Sequence, residues 1–312
     1  MIRVLDGPPR EGPGRPPALP RRGRPRPPRQ RLWAIAAAAL ISAAPAWAKN
    51  YNYPVDWRKA ECGGGPATSD LCRPLDLADY KLSWADEFDT LKLTNADGRG
   101  PWIAGVHSPL APNEIMSLAG DPAYSVSDGK LVLSTRSLPN GKRSEANMQG
   151  WGPGGKHWPM LQNFYAEVRL RGPLENGSHF GLWWLSVERG KGHMELDWPE
   201  QYGPEDRHDH GAAHIWPVDR KAHPPAHVSV FLPRPEGSAM AWHIYGLRAD
   251  DLTFTLYRDG KPLAQIDRLP DQRVPLYPLI SLFGHSAKVK DTDIQVDYIR
   301  VYAPKSDRSA PK

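Results

Sequence analysis

The sequence predicts an all-β sandwich of the jelly-roll kind over residues 81–304. Three observations carry that prediction. Short strand-like stretches recur along the chain, and in the clearest, FYAEVRLR (164–171) and DIQVDYIRVYA (293–303), apolar and polar side chains alternate. Turn signals punctuate them: SDGK (127–130), LPNGK (138–142) and YRDGK (257–261). No stretch keeps a helical apolar period for more than about two turns. Alternating strands each have one face to bury, and many short ones bury it as two packed sheets.

The residues before the sandwich read as a leader and an extension. Residues 1–31 hold nine arginines against Asp6 and Glu11, and the run Leu32–Ala48 is uncharged and ends Ala46-Trp47-Ala48. A basic arm, an apolar run and a small-x-small ending predict a signal peptide cleaved after Ala48, and hence a secreted or periplasmic protein. The competing reading is an uncleaved anchor, but the run is shorter than the ~20 apolar residues a spanning helix needs. The chain's formal net charge of +5 comes from 40 basic and 35 acidic side chains. Removing the leader's nine and two leaves a slight acidic excess, so the charge is no signal for nucleic acid and the rest of the chain has no membrane-spanning run. Residues 49–80 read as a loop-rich extension in which Cys62 and Cys72 bracket CGGGPATSDLC. In an oxidising compartment that pair predicts a local disulfide. Residues 305–312 read as a frayed tail.

The chemistry concentrates in HMELDWPEQYG, residues 193–203. Glu195 and Asp197 are two apart and share a face of a strand. Glu200, five from Glu195, falls on the opposite face unless the strand slips by one residue. Pro199 supplies the place for a slip, because proline is tolerated at bulges. A one-residue bulge around Trp198-Pro199 brings all three acids to one open face, where they escape burial in the core. Two carboxyls about 5–5.5 Å apart suit a retaining glycosidase, one attacking the anomeric carbon and one protonating the leaving oxygen. A third acid between them keeps their protonation states apart. A solvated edge and part of a calcium site are the plainer readings of the same cluster.

ELDWPE resembles the bulged E-x-D-x-x-E signature of glycoside hydrolase family 16, in its laminarinase, agarase and carrageenase branch. Other segments resemble family strands in the same order: KLSWADEFD (81–89), DGKLVLSTR (128–136), NFYAEVRLR (163–171), FGLWWLS (180–186), the hairpin from Trp242 to Leu263, and VDYIRVY (296–302). The resemblance spans Leu82 to Ala303. It implies a concanavalin A-like jelly roll with a concave cleft for a polysaccharide. It also implies Glu195 as nucleophile, Asp197 as assisting acid and Glu200 as acid/base. The sequence departs from the pattern at Met194, at Phe180-Gly181 and at Trp198-Pro199, which bears on the sugar recognised.

Sugar binding needs aromatic platforms. Trp158, Trp183, Trp184, Trp198 and Trp216 are the candidates, with Trp184 expected in the cleft by the alignment and its neighbour Trp183 facing the core. His208, His210 and His214 match no strong metal spacing. His214, sharing a face with Trp216, is the histidine expected to contact substrate or nucleophile. The family's structural calcium implies Glu87 and Asp297 as ligands, with a backbone oxygen near Gly129, and no cofactor for catalysis. The expected molecule is therefore a monomeric, exported endo-glycosidase acting on a β-1,3- or β-1,3/1,4-glucan or a bacterial exopolysaccharide. A transglycosylase on the same residues, a non-catalytic lectin-like sandwich and a metal-dependent lyase are the alternatives.

Overall fold

The structure, a computed structural model, describes residues 75–305 apart from 97, 106–113, 153–157, 174, 188–191, 219–225, 236, 269–271 and 285–288. The leader and its cleavage site, the Cys62–Cys72 pair and residues 306–312 lie outside the described residues. Among the described residues no helix is long and apolar enough to cross a membrane.

Two sheets form the sandwich. Numbered along the chain, the first runs β15 (Lys261–Asp267), β14 (Thr253–Arg258), β13 (His243–Ala249), β8 (Phe164–Arg171), β17 (Thr292–Pro304), β6 (Lys130–Thr135) and β5 (Tyr124–Ser127). β1 (Tyr80–Asp86) pairs with the second half of β17. The second sheet runs β12 (Ala226–Pro233), β11 (His208–Pro217), β10 (Gly192–Gln201), β9 (Ser178–Ser186), β16 (Leu276–Gly284), β7 (Arg143–Gln149), β3 (Trp102–Ala104) and β2 (Leu93–Thr94). β4 (Glu114–Met116) lies parallel to β7.

The sequence accounts for most of this locally. The turn signals sit where chains reverse: Asp128-Gly129 and Asp259-Gly260 take positive φ in the two-residue turns β5–β6 and β14–β15, a conformation glycine and aspartate tolerate best. β8 and β17 alternate buried and part-exposed residues, as their apolar periods predict. β7, RSEANMQ, carries no apolar signal, yet all its residues are buried. It is held by the parallel strand β4, by β16 and by the Tyr124 hydroxyl, which accepts from the Asn147 amide and donates to the Asn147 carbonyl, both at 2.8 Å.

The core lies between the sheets. Leu131, Leu133, Phe254, Leu256 and Ile294 from the first meet Met148, Phe180, Trp184, Leu196 and Leu282 from the second in one buried cluster. A smaller apolar cluster, Leu185, Tyr277 and Leu279 with Trp151, Met160 and Trp183 against it, is separate from that core. Its members Leu185 and Trp183 pair with Glu195 and Asp197, and this places it on the outer face of the second sheet.

Candidate active site

β10 carries the acids, and its pairings show how they come together. Asp197 faces Ala212 on β11 and Trp183 on β9, whereas Glu200 faces His210 and Gly181. Three residues along β10 thus match two on each neighbour, so one residue is extra. The extra residue falls at Trp198-Pro199, a cis peptide bond. Met194, Leu196 and Trp198 point into the core, and Glu195, Asp197 and Glu200 share the outer face. Two glycines on the flanking strands make room. A Cβ at Gly211 would meet the Leu256 side chain at 2.7 Å and the Trp198 ring at 3.3 Å. A Cβ at Gly181, opposite Glu200, would stand 2.4 Å from Trp183 Nε1.

Glu195 and Asp197 share His214, whereas Glu200 meets His179. Asp197 is 2% exposed, its Oδ2 lies 2.9 Å from His214 Nε2, and its Oδ1 has no hydrogen-bond partner among the described residues. Burial and the Glu200 charge push its pKa well up. Glu195 faces His214 across the β10–β11 ladder. Burial first, then the charges of Asp197 and Glu200, push it up to about 8, against the opposing pull of His214 and a hydrogen bond from Trp216. Burial also holds His214 below the ordinary imidazole value.

Glu200 goes the other way. Burial raises its pKa, but a hydrogen bond and charge from His179, a hydrogen bond from Trp183 and the charge of His210 outweigh that and lower it. His179 Nε2 is 2.8 Å from Glu200 Oε1, and Trp183 Nε1 donates to the same oxygen at 3.0 Å. Proton binding in the empty cleft is therefore favoured on the Glu195–Asp197 side over Glu200.

The aromatic assignments divide. Trp183 faces the acids and Trp184 does not: Trp184 pairs with Leu196 and is buried between the sheets against Phe164, ring centroids 4.9 Å apart. The expectation for this pair is reversed, because strand phase and not adjacency decides which indole faces out. Trp198 is likewise a core residue, 1% exposed, its Nε1 donating to the Tyr257 carbonyl at 3.3 Å. Trp158 stacks on Trp84 at 4.6 Å and packs against the core, not beside the acids. Trp216 stacks on His214 at 5.2 Å, and His214 on His227 at 5.6 Å, a ladder of rings leading away from Glu195. Tyr277 with Trp151, centroids 5.6 Å apart, extends the aromatic surface on the other side.

The histidine triplet does not converge. His208 and His210 turn to Asp206, with His210 Nε2 2.5 Å from Asp206 Oδ2, whereas His214 turns to Asp197. Among the described residues the one trio whose ligating atoms approach within 4.8 Å is Glu195, Asp197 and His214, inside the acid site itself. The implied calcium ligands do not fit that role. Arg300 clasps Glu87 through two contacts of 2.8 Å, and Arg169 pairs with Asp297, so both carboxylates already have a cation. His179 and Tyr277 are site residues that the sequence did not announce. Two successive two-residue steps back from Trp183 on the same strand face, through Gly181, were the available signal for His179.

No family model matches the chain, and no curated protein matches it. Solved structures do. A non-specific endo-β-1,3(4)-glucanase of glycoside hydrolase family 16 superposes with a TM-score of 0.60 at 19% identity, over 75% of this chain and 95% of its own. The chain has the fold of family 16 glucanases. The catalytic domain of an endo-1,3-β-glucanase from Thermotoga petrophila gives 0.55 at 22% identity, over 73% and 99%. A structure described with endo-acting O-glycanases of the human gut microbiota that initiate mucin breakdown gives 0.60 at 19%, over 75% and 94%. One architecture thus serves different glycans, and the side chains of the outer face decide among them.

Proposed function

We propose that the protein is a family 16 glycoside hydrolase that cleaves β-linked polysaccharide internally, with retention, and that a β-1,3- or β-1,3/1,4-glucan is its substrate class. One observation carries the reading: the bulge at Trp198-Pro199 delivers Glu195, Asp197 and Glu200 to one outer face flanked by half-buried indoles, Trp183 and Trp216. A solvated acidic edge would not bury Asp197 to 2% exposure, nor set His214 against Asp197 and His179 against Glu200. A purely binding sandwich has no use for a buried carboxylate cluster whose self-repulsion it must hold together.

In the first step Glu195 attacks the anomeric carbon as the glycosidic bond breaks, and Glu200 gives its proton to the departing oxygen. The sugar is then an ester of Glu195. In the second step Glu200, now ionised, takes a proton from water, whose oxygen displaces Glu195 and restores the β-configuration. Asp197 sits between them with His214 at its back. It shares the cluster's proton with Glu195 and relays the repulsion that drives a proton onto Glu200 once a glycan covers the site. The productive form, Glu195 ionised and Glu200 protonated, is the minor tautomer of the empty cleft. Stacking energy from the glycan is what populates it.

The substrate class draws support from the two glucanases that share the fold. Export with cleavage after Ala48, a Cys62–Cys72 disulfide and action as a monomer belong to the same reading, and mass analysis of the secreted protein with and without reductant checks the first two. The deciding experiment is reducing-end release from laminarin, lichenan, agarose, carrageenan, a succinylated exopolysaccharide and a mucin O-glycan, for wild type and Glu195→Gln. Release from laminarin or lichenan that the variant lacks is the expected result. Glycan binding without release by the wild type would overturn it in favour of a lectin-like sandwich. Transfer to added sugar acceptors in preference to water would make it a transglycosylase.

A further inference from the structure

We propose that His179 is a positioning residue for the general acid: with Trp183 it pins Oε1 of Glu200, so that Oε2 is the oxygen that carries the proton into the cleft. The inference rests on the assignment of Glu200 above and goes beyond it, because it concerns which oxygen of that acid delivers the proton.

The geometry is specific. His179 Nε2 at 2.8 Å and Trp183 Nε1 at 3.0 Å converge on a single carboxylate oxygen. Among the described residues nothing hydrogen-bonds Oε2, which leaves it the one position from which a proton can reach an incoming oxygen. Carboxyl rotation would otherwise exchange the two oxygens, and two donors on one of them forbid it. The imidazole is itself immobilised. It is 6% exposed, stacks on Tyr202 with centroids 4.2 Å apart and meets the edge of Phe283 at 4.5 Å. Phe283 is its direct cross-strand partner on β16. Gly181 completes the arrangement, since a side chain there would push the Trp183 indole off Glu200. A buried, doubly packed imidazole aimed at one oxygen of a buried acid orients that acid.

The same contact bears on pH dependence. On β9 the groups facing Glu200 are His179 and Trp183, and on β11 His210, whose own partner is Asp206, together with His214. On its own strand Asp197 and Glu195 face it, and Tyr202 follows it. His179 is the first-ranked of the influences that lower the acid's pKa. Removing it therefore raises the acid's pKa, and because Glu200 is the low member of the cluster this moves the acidic limb of kcat/KM to higher pH.

The test compares His179→Phe, which keeps the ring between Tyr202 and Phe283 but has no donor, with His179→Gln, which keeps a donor. Substrates are aryl β-glycosides of the oligosaccharide that wild type releases, with 4-nitrophenol or 2,4-dinitrophenol as leaving group, alongside the polymer. Acid catalysis matters for the poor leaving groups and hardly at all for dinitrophenol. General acid help is worth about 10²–10⁴-fold, so losing its alignment should cost His179→Phe roughly 10- to 100-fold in kcat on the polymer. On the dinitrophenyl substrate the same variant should stay close to wild type, its acidic limb on the polymer should move up, and His179→Gln should recover a good part of the loss. Equal losses on both leaving groups, or no loss on the polymer, would overturn the inference while leaving the glycosidase reading intact. A wild type that turns over none of these substrates would sink both.

Discussion

Replacing Trp184 and Trp183 separately distinguishes a core indole from a site indole. Trp184 is 2% exposed, wedged between the sheets against Phe164. A tryptophan buries about 200 Å². At roughly 25 cal/mol per Å² that is about 5 kcal/mol, the upper end of the range of about 3–5 kcal/mol seen for Trp→Ala in cores. Trp184→Ala should therefore lose about 3–5 kcal/mol in urea unfolding, seen as a lower midpoint at an unchanged slope. Its Nε1 has no acceptor, so Trp184→Phe sacrifices no hydrogen bond and should cost less than half as much. Neither change should alter KM of the folded fraction by more than a small factor. Trp183→Phe reverses the pattern: stability stays near wild type, and kcat falls because one of the two donors on Glu200 is gone. A Trp184→Ala protein with native stability and a raised KM would place that indole in the cleft and refute the strand phase argued here.

Four further outcomes follow from the geometry. Azide should rescue both Glu195→Ala and Glu200→Ala with opposite stereochemistry, an α-glycosyl azide from the former and a β-glycosyl azide from the latter; the reverse products would exchange the two roles. Because burial and Asp197 raise Glu195 to about 8 while Glu200 lies low, the protonated cluster persists well above the ordinary carboxylate range, and kcat/KM should hold until its proton is lost and then fall through a basic limb there. A raised carboxylate pKa favours folding below the unfolded value and is lost as pH rises toward 8, so Glu195→Gln should be stabilising at about pH 8–9 and near neutral at about pH 4; differential unfolding curves at both pH values check the sign. Asp209→Ala should destabilise by about 3–5 kcal/mol, since the fully buried Asp209 accepts from Gln201 at 2.8 Å and balances Arg258 and Arg234; a chemical-denaturation loss below about 1 kcal/mol would mean the arginines find other partners.

What the sequence made legible depended on whether burial followed hydrophobicity. β8 and β17 each have one wet and one dry face, so their alternation could be read directly. β7 could not, because Arg143, Glu145, Asn147 and Gln149 are buried by neighbouring strands and not by any apolar character of their own. In the site the three acids were legible because Pro199 marked the slip between them. The tryptophan pair was not: two adjacent indoles must face opposite ways, and only the pairing of Trp184 with Leu196 says which. His179 stayed hidden for a related reason. It reaches Glu200 from 21 positions away, through a register that no local pattern encodes. The arginine partners of Glu87 and Asp297 were equally hidden, since Arg300 and Arg169 reach them across strand pairings that no local pattern encodes.

The bulge on β10 also has a consequence beyond the acids. A two-residue period has only two phases, and an inserted residue switches the strand from one to the other. Everything after the switch inherits the new phase, so Gln201, 1% exposed, turns inward and binds Asp209 and the Tyr245 hydroxyl. Catalytic geometry and an internal polar junction are thereby written by the same extra residue. Deleting it would send Glu200 toward Leu196 and Phe180 and throw Gln201 outward, breaking two distant arrangements at once. Selection on either one holds the other in place, so the spacing from Asp197 to Glu200 should resist length change more than the identities of Trp198 and Pro199 resist substitution.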